Sequence, residues 1–200
     1  MIGEIHMSKK LFKGSSMLNP VPVVLITCKS LEGKVNVFTV GWVGTACTKP
    51  ALITVSIRPS RLSYEFIKQT GEFVINLPTK GLVRAVDYCG VKSGRTNDKI
   101  TELGLLLEDS AEINVPMIKQ CPVAMECRVK SITPLGTHDL FLAEVVAVHV
   151  ENNLIDAKGK IHLEKADLIS YSHGEYFPLE NKAIGTFGFS VKKATKNKKK

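Results

Sequence analysis

From Val123 to Ile132 the chain alternates with a period of two. Val123, Met125, Cys127 and Val129 fall on one face, and Glu126, Arg128 and Lys130 on the other. Only an extended strand puts every second residue on one side, so this segment predicts a half-exposed antiparallel strand with its charges in water. Pro134 to Asp139 (PLGTHD) is its turn. Leu140 to Val150 (LFLAEVVAVHV) returns as a more apolar, more buried partner.

The upstream segments suit the same architecture. Val21 to Cys28 (VPVVLITC) is a buried strand. After a turn at Leu31 to Lys34, Val35 to Val40 completes a hairpin, Ala51 to Ile57 is a third strand and Phe73 to Leu77 a fourth. Helices are expected only in connections. One runs through Gln69, capped by Ser60 or Ser63 and stopped by Gly71; one spans Gly81 to Tyr88, and a short one Asp98 to Leu103. Cys89 to Asn97 is expected to be a glycine-rich loop. Strands joined by short turns, with helices at the periphery, predict a mainly β fold: a closed or nearly closed antiparallel barrel. A doubly wound nucleotide-binding sheet would need regular strand–helix alternation and GxGxxG after the first strand, and neither is present.

Two hundred residues suffice for one domain with a real core, expected over 1–190. The net charge of +8 belongs to a tail: the last nine residues hold six lysines, and without them the charge is +2. A lysine-rich segment over 191–200 is expected to stay solvated, so nucleic-acid or anionic-surface contact should be limited to weak tail contacts. No apolar run approaches the ~18 residues of a membrane span, and the N-terminus lacks the apolar core of a signal peptide. The expectation is a cytoplasmic protein with no membrane partner. Five cysteines without a CxxC pair argue against a disulfide framework or a zinc module, and structural thiols are expected. No metal spacing or nucleophile signature is present among the histidines, serines and acids.

Binding chemistry concentrates between Asn36 and Tyr64. Gly41-Trp42-Val43-Gly44-Thr45 is a glycine-flanked aromatic turn between strands. Its glycines permit unusual dihedrals and close approach of backbone to a flat ring, and Trp42 can pack beside that ring. The third strand runs into Ser56-Ile57-Arg58-Pro59-Ser60-Arg61-Leu62-Ser63, where forked guanidinium donors and hydroxyls suit a phosphate. Lys92 to Arg95 (KSGR) is a second anion-friendly loop. Lys99 stands at a helix start, where the dipole disfavours it, so a ligand's anionic group is one reason for it and simple exposure another. Together these segments point to a phosphorylated planar cofactor.

On these residues the chain resembles the flavin reductase-like, FMN-binding split-barrel family, and within it the flavoredoxin branch. The resemblance spans roughly Asn19 to Val191. It rests on Asn19 to Val23, Asn36 with Thr39 to Thr45, Ser56 to Tyr64, Gly71 to Asn76, Asp87 to Arg95 with Asp98 and Lys99, and Tyr171 to Phe177 (YSHGEYF). It implies a Greek-key split barrel, a homodimer and noncovalent FMN near the dimer interface. By the same resemblance Asn36 and Gly41, Trp42, Val43, Gly44 and Thr45 would hold the isoalloxazine. Ser56, Arg58 and Ser63 would lie toward ribityl and phosphate and Lys99 near the cofactor's polar end, with His138 and Tyr171 completing the pocket. No dedicated acid or base is required, because the flavin carries the chemistry. The implied activity is NAD(P)H-dependent flavin reduction, with a nicotinamide nucleotide as partner. The alternative is a flavoredoxin-like carrier fed by a redox-partner protein. Ala166 to Phe177 is expected to fold back over the site or over a second subunit.

Overall fold

The computed structural model describes residues 9–191, so the lysine tail lies outside the described residues apart from Val191. The strands are β1 (Val21–Pro22), β2 (Val24–Lys29), β3 (Val35–Val40), β4 (Val43–Cys47), β5 (Leu52–Ile57), β6 (Glu72–Leu77), β7 (Leu107–Glu108), β8 (Met117–Ile118), β9 (Val123–Pro134), β10 (Asp139–Val150), β11 (Ile169–Ser172) and β12 (Glu175–Pro178). The helices are α1 (Leu62–Thr70), α2 (Val83–Val91) and α3 (Lys99–Glu102). Seven strands form one antiparallel sheet in the order β3-β2-β6-β9-β10-β5-β4. Its two edge strands, β3 and β4, are consecutive in the chain and joined only by Gly41 and Trp42. That short link forces the edges together at one end. The sheet curls into a barrel with a seam between them, and Ser56 N donates to Trp42 O at 2.9 Å, extending the β4–β5 ladder up to the link.

Alternation explains the packing. Val24, Ile26 and Cys28 point into the barrel with Val55, Phe73, Ile75 and Phe141, while Tyr64, Phe66 and Ile67 of α1 join the same core. Burying each such large side chain contributes about 1.5–3 kcal/mol. Leu25 on the other face of β2, and Val23 just before it, lie under Val86 and Cys89 of α2. A strand buried on both faces needs apolar residues throughout, which is why VPVVLITC has no polar alternation. Among the described residues no helix is long and apolar enough to cross a membrane.

Several sequence expectations change in detail. The first strand divides at Val23: β1 pairs with β11 in a separate three-stranded sheet, and β2 joins the barrel. Pro22 has no N–H to carry a ladder onward. The aromatic turn is only two residues long, because Val43 to Cys47 pair with β5 as an exposed edge strand. Neither Ser60 nor Ser63 caps α1: Arg61 holds the cap position without a side-chain bond, and Ser63 is buried in the first turn. Gly71 ends that helix at φ 71°, a left-handed conformation glycine adopts without strain. The second helix runs past Tyr88 to Val91, with Gly90 facing Thr39. The charged face of β9 is not solvated throughout, since Glu126 is fully buried. The aromatic segment does fold back, as the β11–β12 hairpin.

All five cysteines are free, and four are buried. Burial pushes the Cys28, Cys121 and Cys127 thiols up to about 12 and Cys89 to about 11, so these four are inert packing groups at neutral pH.

Candidate functional site

The seam is also where the chemistry gathers. A cavity of about 260 Å³ opens where the Gly41-Trp42 link meets the end of β5. Thr39 and Val40 form one side, and Ser56, Ile57 and Arg58 the other. Tyr171 and Tyr176 of the β11–β12 hairpin and His138 of the β9–β10 turn close it. Trp42 remains 40% exposed, so its ring is free to meet a ligand. Arg58, Arg61 and Phe38 also wall a second recess of about 210 Å³, built from Asn36, Ser60, Leu62, Ser63, Lys92, Ser93, Gly94 and Lys99.

No carboxylate lines either space, whereas four cations do: Arg58, Arg61, Lys92 and Lys99. Such walls favour an anion and repel a cation. Lys99 is the extreme case. It is 3% exposed, and its Nζ donates to Lys92 O at 3.3 Å. Among the described residues no carboxylate lies within ion-pair distance of it. Burial, reinforced by the charge of Arg61, holds its ammonium below the usual lysine range. A buried cation without a counter-charge costs stability, which an anionic ligand would offset.

The remaining groups are held in place by specific contacts. Asn36 Nδ2 donates to Ser63 Oγ at 2.7 Å, both buried. Gly94 makes this possible: a Cβ there would stand 2.1 Å from Asn36 Oδ1. Arg61 Nη2 is spent on Gly90 O at 2.9 Å, which ties the start of α1 to α2. Arg58 is more available, since it is exposed and its Nε donates to His138 Nε2 at 3.4 Å. Burial and the Arg58 charge lower the His138 pKa, so the ring stays neutral and can accept that bond. Its Nδ1 lies 3.0 Å from Thr137 Oγ1.

The structure therefore brings Gly41, Trp42, Ser56, Arg58, His138 and Tyr171 together in the cavity, and Asn36, Ser63 and Lys99 with Arg58 in the recess. Val43, Gly44 and Thr45 line neither, lying on the edge strand β4. Gly41 and Gly44 do not adopt positive φ, so the dihedral freedom expected of them is unused. Outside the sequence-derived site set, the structure adds Arg61, Lys92, Gly94 and Tyr176. The first three stand in the two basic loops that the sequence marks as anion-friendly, and Tyr176 in the aromatic C-terminal segment.

The donor set fits a group with a flat ring and an anionic end. Residues 16–180 match the family model described as the flavin reductase like domain. An uncharacterised protein of Archaeoglobus fulgidus is 35% identical over 144 residues, covering 72% of this chain and 80% of that relative. The flavoredoxin of Desulfovibrio vulgaris (Miyazaki F) superposes with a TM-score of 0.84 at 25% identity, over 92% of this chain and 100% of its own. The flavoredoxin of Methanosarcina acetivorans gives 0.82 at 27%, over 92% and 97%. The split-barrel architecture is shared with these neighbours.

Proposed function

This chain belongs to the flavin reductase-like domain family, and from that premise we propose that it is an FMN-binding flavoprotein acting as an NAD(P)H-dependent flavin reductase. The observation that carries the reading is the carboxylate-free trough at the barrel seam, with ring-bearing Trp42, Tyr171 and Tyr176 at one end and the buried Lys99 at the other. Bound flavin would supply the hydride chemistry. The chain's own residues would bind and orient it: Arg58, with Lys92 and Ser60, suits the phosphate, and Trp42 and Tyr171 suit a ring.

Titration with FMN should quench flavin fluorescence, and Arg58→Ala should weaken FMN far more than riboflavin. Losing one charge-assisted contact to a phosphate costs about 1.5–3 kcal/mol, roughly ten- to a hundredfold in affinity. No fluorescence change with wild type would end the cofactor reading; equal losses for both ligands would move Arg58 away from the phosphate.

A second reading, a flavoredoxin-like electron carrier, is favoured by the two flavoredoxins among the structural neighbours. Oxidation of NADH or NADPH by the purified flavin-loaded protein separates the two, since a carrier fed by a protein donor leaves both nucleotides untouched.

The proposal includes a homodimer. Val148, Ile155 and Ile161 form an exposed apolar patch beside the end of β10, and Ile184 and Phe187 are fully exposed. Light scattering at micromolar concentration should give twice the 21.9 kDa chain mass; a monomer mass would contradict this.

A further inference from the structure

The β11–β12 hairpin forms one wall of the seam cavity, yet it does not belong to the barrel sheet. It pairs only with β1, through Val21↔Tyr171 and Pro22↔Ser170. That ladder is two residues long, and one of them is a proline with no N–H to give. The hairpin is packed only in part: Ile169 is buried in the core cluster under α2, with Tyr171 and Tyr176 against it. On its tyrosine side lies the seam cavity, and on the other side an apolar cavity of about 260 Å³ bounded by Leu168, Ile169, Leu77 and Pro78. Close-packed interiors resist motion, and a strip of sheet between two voids does not share that resistance.

Its attachments are unequal along its length. At the base, Lys80 N donates to Asp167 O at 2.8 Å, Lys80 Nζ pairs with Asp167 at 2.9 Å, and Thr79 bridges Leu168. Asp167 itself sits at φ 51°, a left-handed conformation uncommon for a residue with a side chain. Toward the tip, two longer bonds hold the hairpin down: Tyr176 Oη donates to Asp87 Oδ1 of α2 at 3.2 Å, and His173 N to Asn19 Oδ1 at 3.2 Å. Tyr176 packs on Tyr171 with ring centroids 5.5 Å apart, so both rings move together.

We propose that residues 169–178 are a strap over the seam cavity, hinged at Asp167, and that the Tyr176–Asp87 hydrogen bond is the latch that keeps it closed. The role assigned to the cavity rests on the flavin reading; the latch itself rests only on the hairpin. The strap would let flavin in and out of a site whose other walls are rigid barrel. Asp87, which lines neither space, would then be a positioning residue that acts on exchange through Tyr176.

Asp87→Ala removes the latch's acceptor from the exposed face of α2 and leaves every cavity-lining side chain in place, so it tests the latch without altering a ligand contact. In flavin-free full-length protein, amide hydrogen exchange over Ser170–Phe177 should accelerate severalfold while barrel strands β6 and β9 stay unchanged. In stopped-flow mixing with FMN, association and dissociation should both accelerate, by roughly five- to tenfold, with little change in Kd. That pattern separates a latch from a ligand contact, because losing a contact raises dissociation alone. Unchanged hairpin exchange overturns the latch, and so does a rise confined to the dissociation rate. If wild type binds no FMN, the cofactor reading falls and the exchange experiment still decides the latch.

Discussion

Replacing Glu126 with alanine should cost the fold about 3–5 kcal/mol, the penalty expected when the charged member of a buried network is removed. Glu126 is fully buried in β9. Its Oε1 accepts from Ala111 N at 2.8 Å and from His149 Nε2 at 2.5 Å, and its Oε2 accepts from Glu112 N at 2.8 Å and Ile113 N at 3.0 Å. One carboxylate thereby fixes the loop that lays Ile113 and Val115 over Val74 and Ala124. Alanine leaves three backbone donors without their acceptor, and each unsatisfied buried group costs about 1–3 kcal/mol. Against a total stability of roughly 5–15 kcal/mol, that loss should move the urea midpoint strongly. Burial by itself would raise the Glu126 pKa, but the three N–H groups and His149 outweigh it and hold the carboxyl below its ordinary value. A depressed folded-state pKa stabilises the protein above the unfolded carboxylate range, and that stabilisation is lost as pH falls through the folded value. Glu126→Gln should therefore be weaker at neutral pH and lose less of its remaining stability on acidification. A urea midpoint equal to wild type in either variant would mean the loop is held by something else.

Glu126 also marks where sequence reading stops. The alternation across β9 and β10 was legible because side chains on a strand alternate by geometry. That the charged face, exposed at Arg128 and Lys130, is covered at Glu126 was not, because the covering segment comes from residues 111–113, in no local pattern with β9. The edge strand β4 is hidden for a related reason. Gly44, Thr45 and Ala46 are small or polar, as an exposed edge allows, so they lack the apolar signal of a strand. The glycine that matters sterically at the site is Gly94, whose requirement comes from Asn36, far away along the chain. By contrast, the residues from Gly41 to Ser63 could be read together as one candidate site because the fold brings both ends of that short segment to one seam.

Lys99→Met is expected to change stability and ligand binding in opposite directions. The ammonium is held almost out of water with a single 3.3 Å bond to Lys92 O and no ion-pair partner among the described residues. A methionine fills similar volume without the charge, and exchanging buried charge for packed apolar atoms typically stabilises by about 1–4 kcal/mol. Flavin-free Lys99→Met protein should therefore unfold at higher urea concentration than wild type. Because burial depresses the folded-state pKa of Lys99, its cost is fully present below that depressed value. It is relieved as pH rises between that depressed value and the ordinary 10.5. The advantage of methionine should shrink over the same interval. Binding should go the other way. On the proposed function an anionic flavin would gain its counter-charge from this buried lysine, so FMN affinity should fall roughly tenfold or more. If the variant is instead less stable without flavin and binds FMN as wild type does, Lys99 is a clamp on the Lys92 carbonyl. The recess would then have lost its strongest claim to hold the ligand's charge.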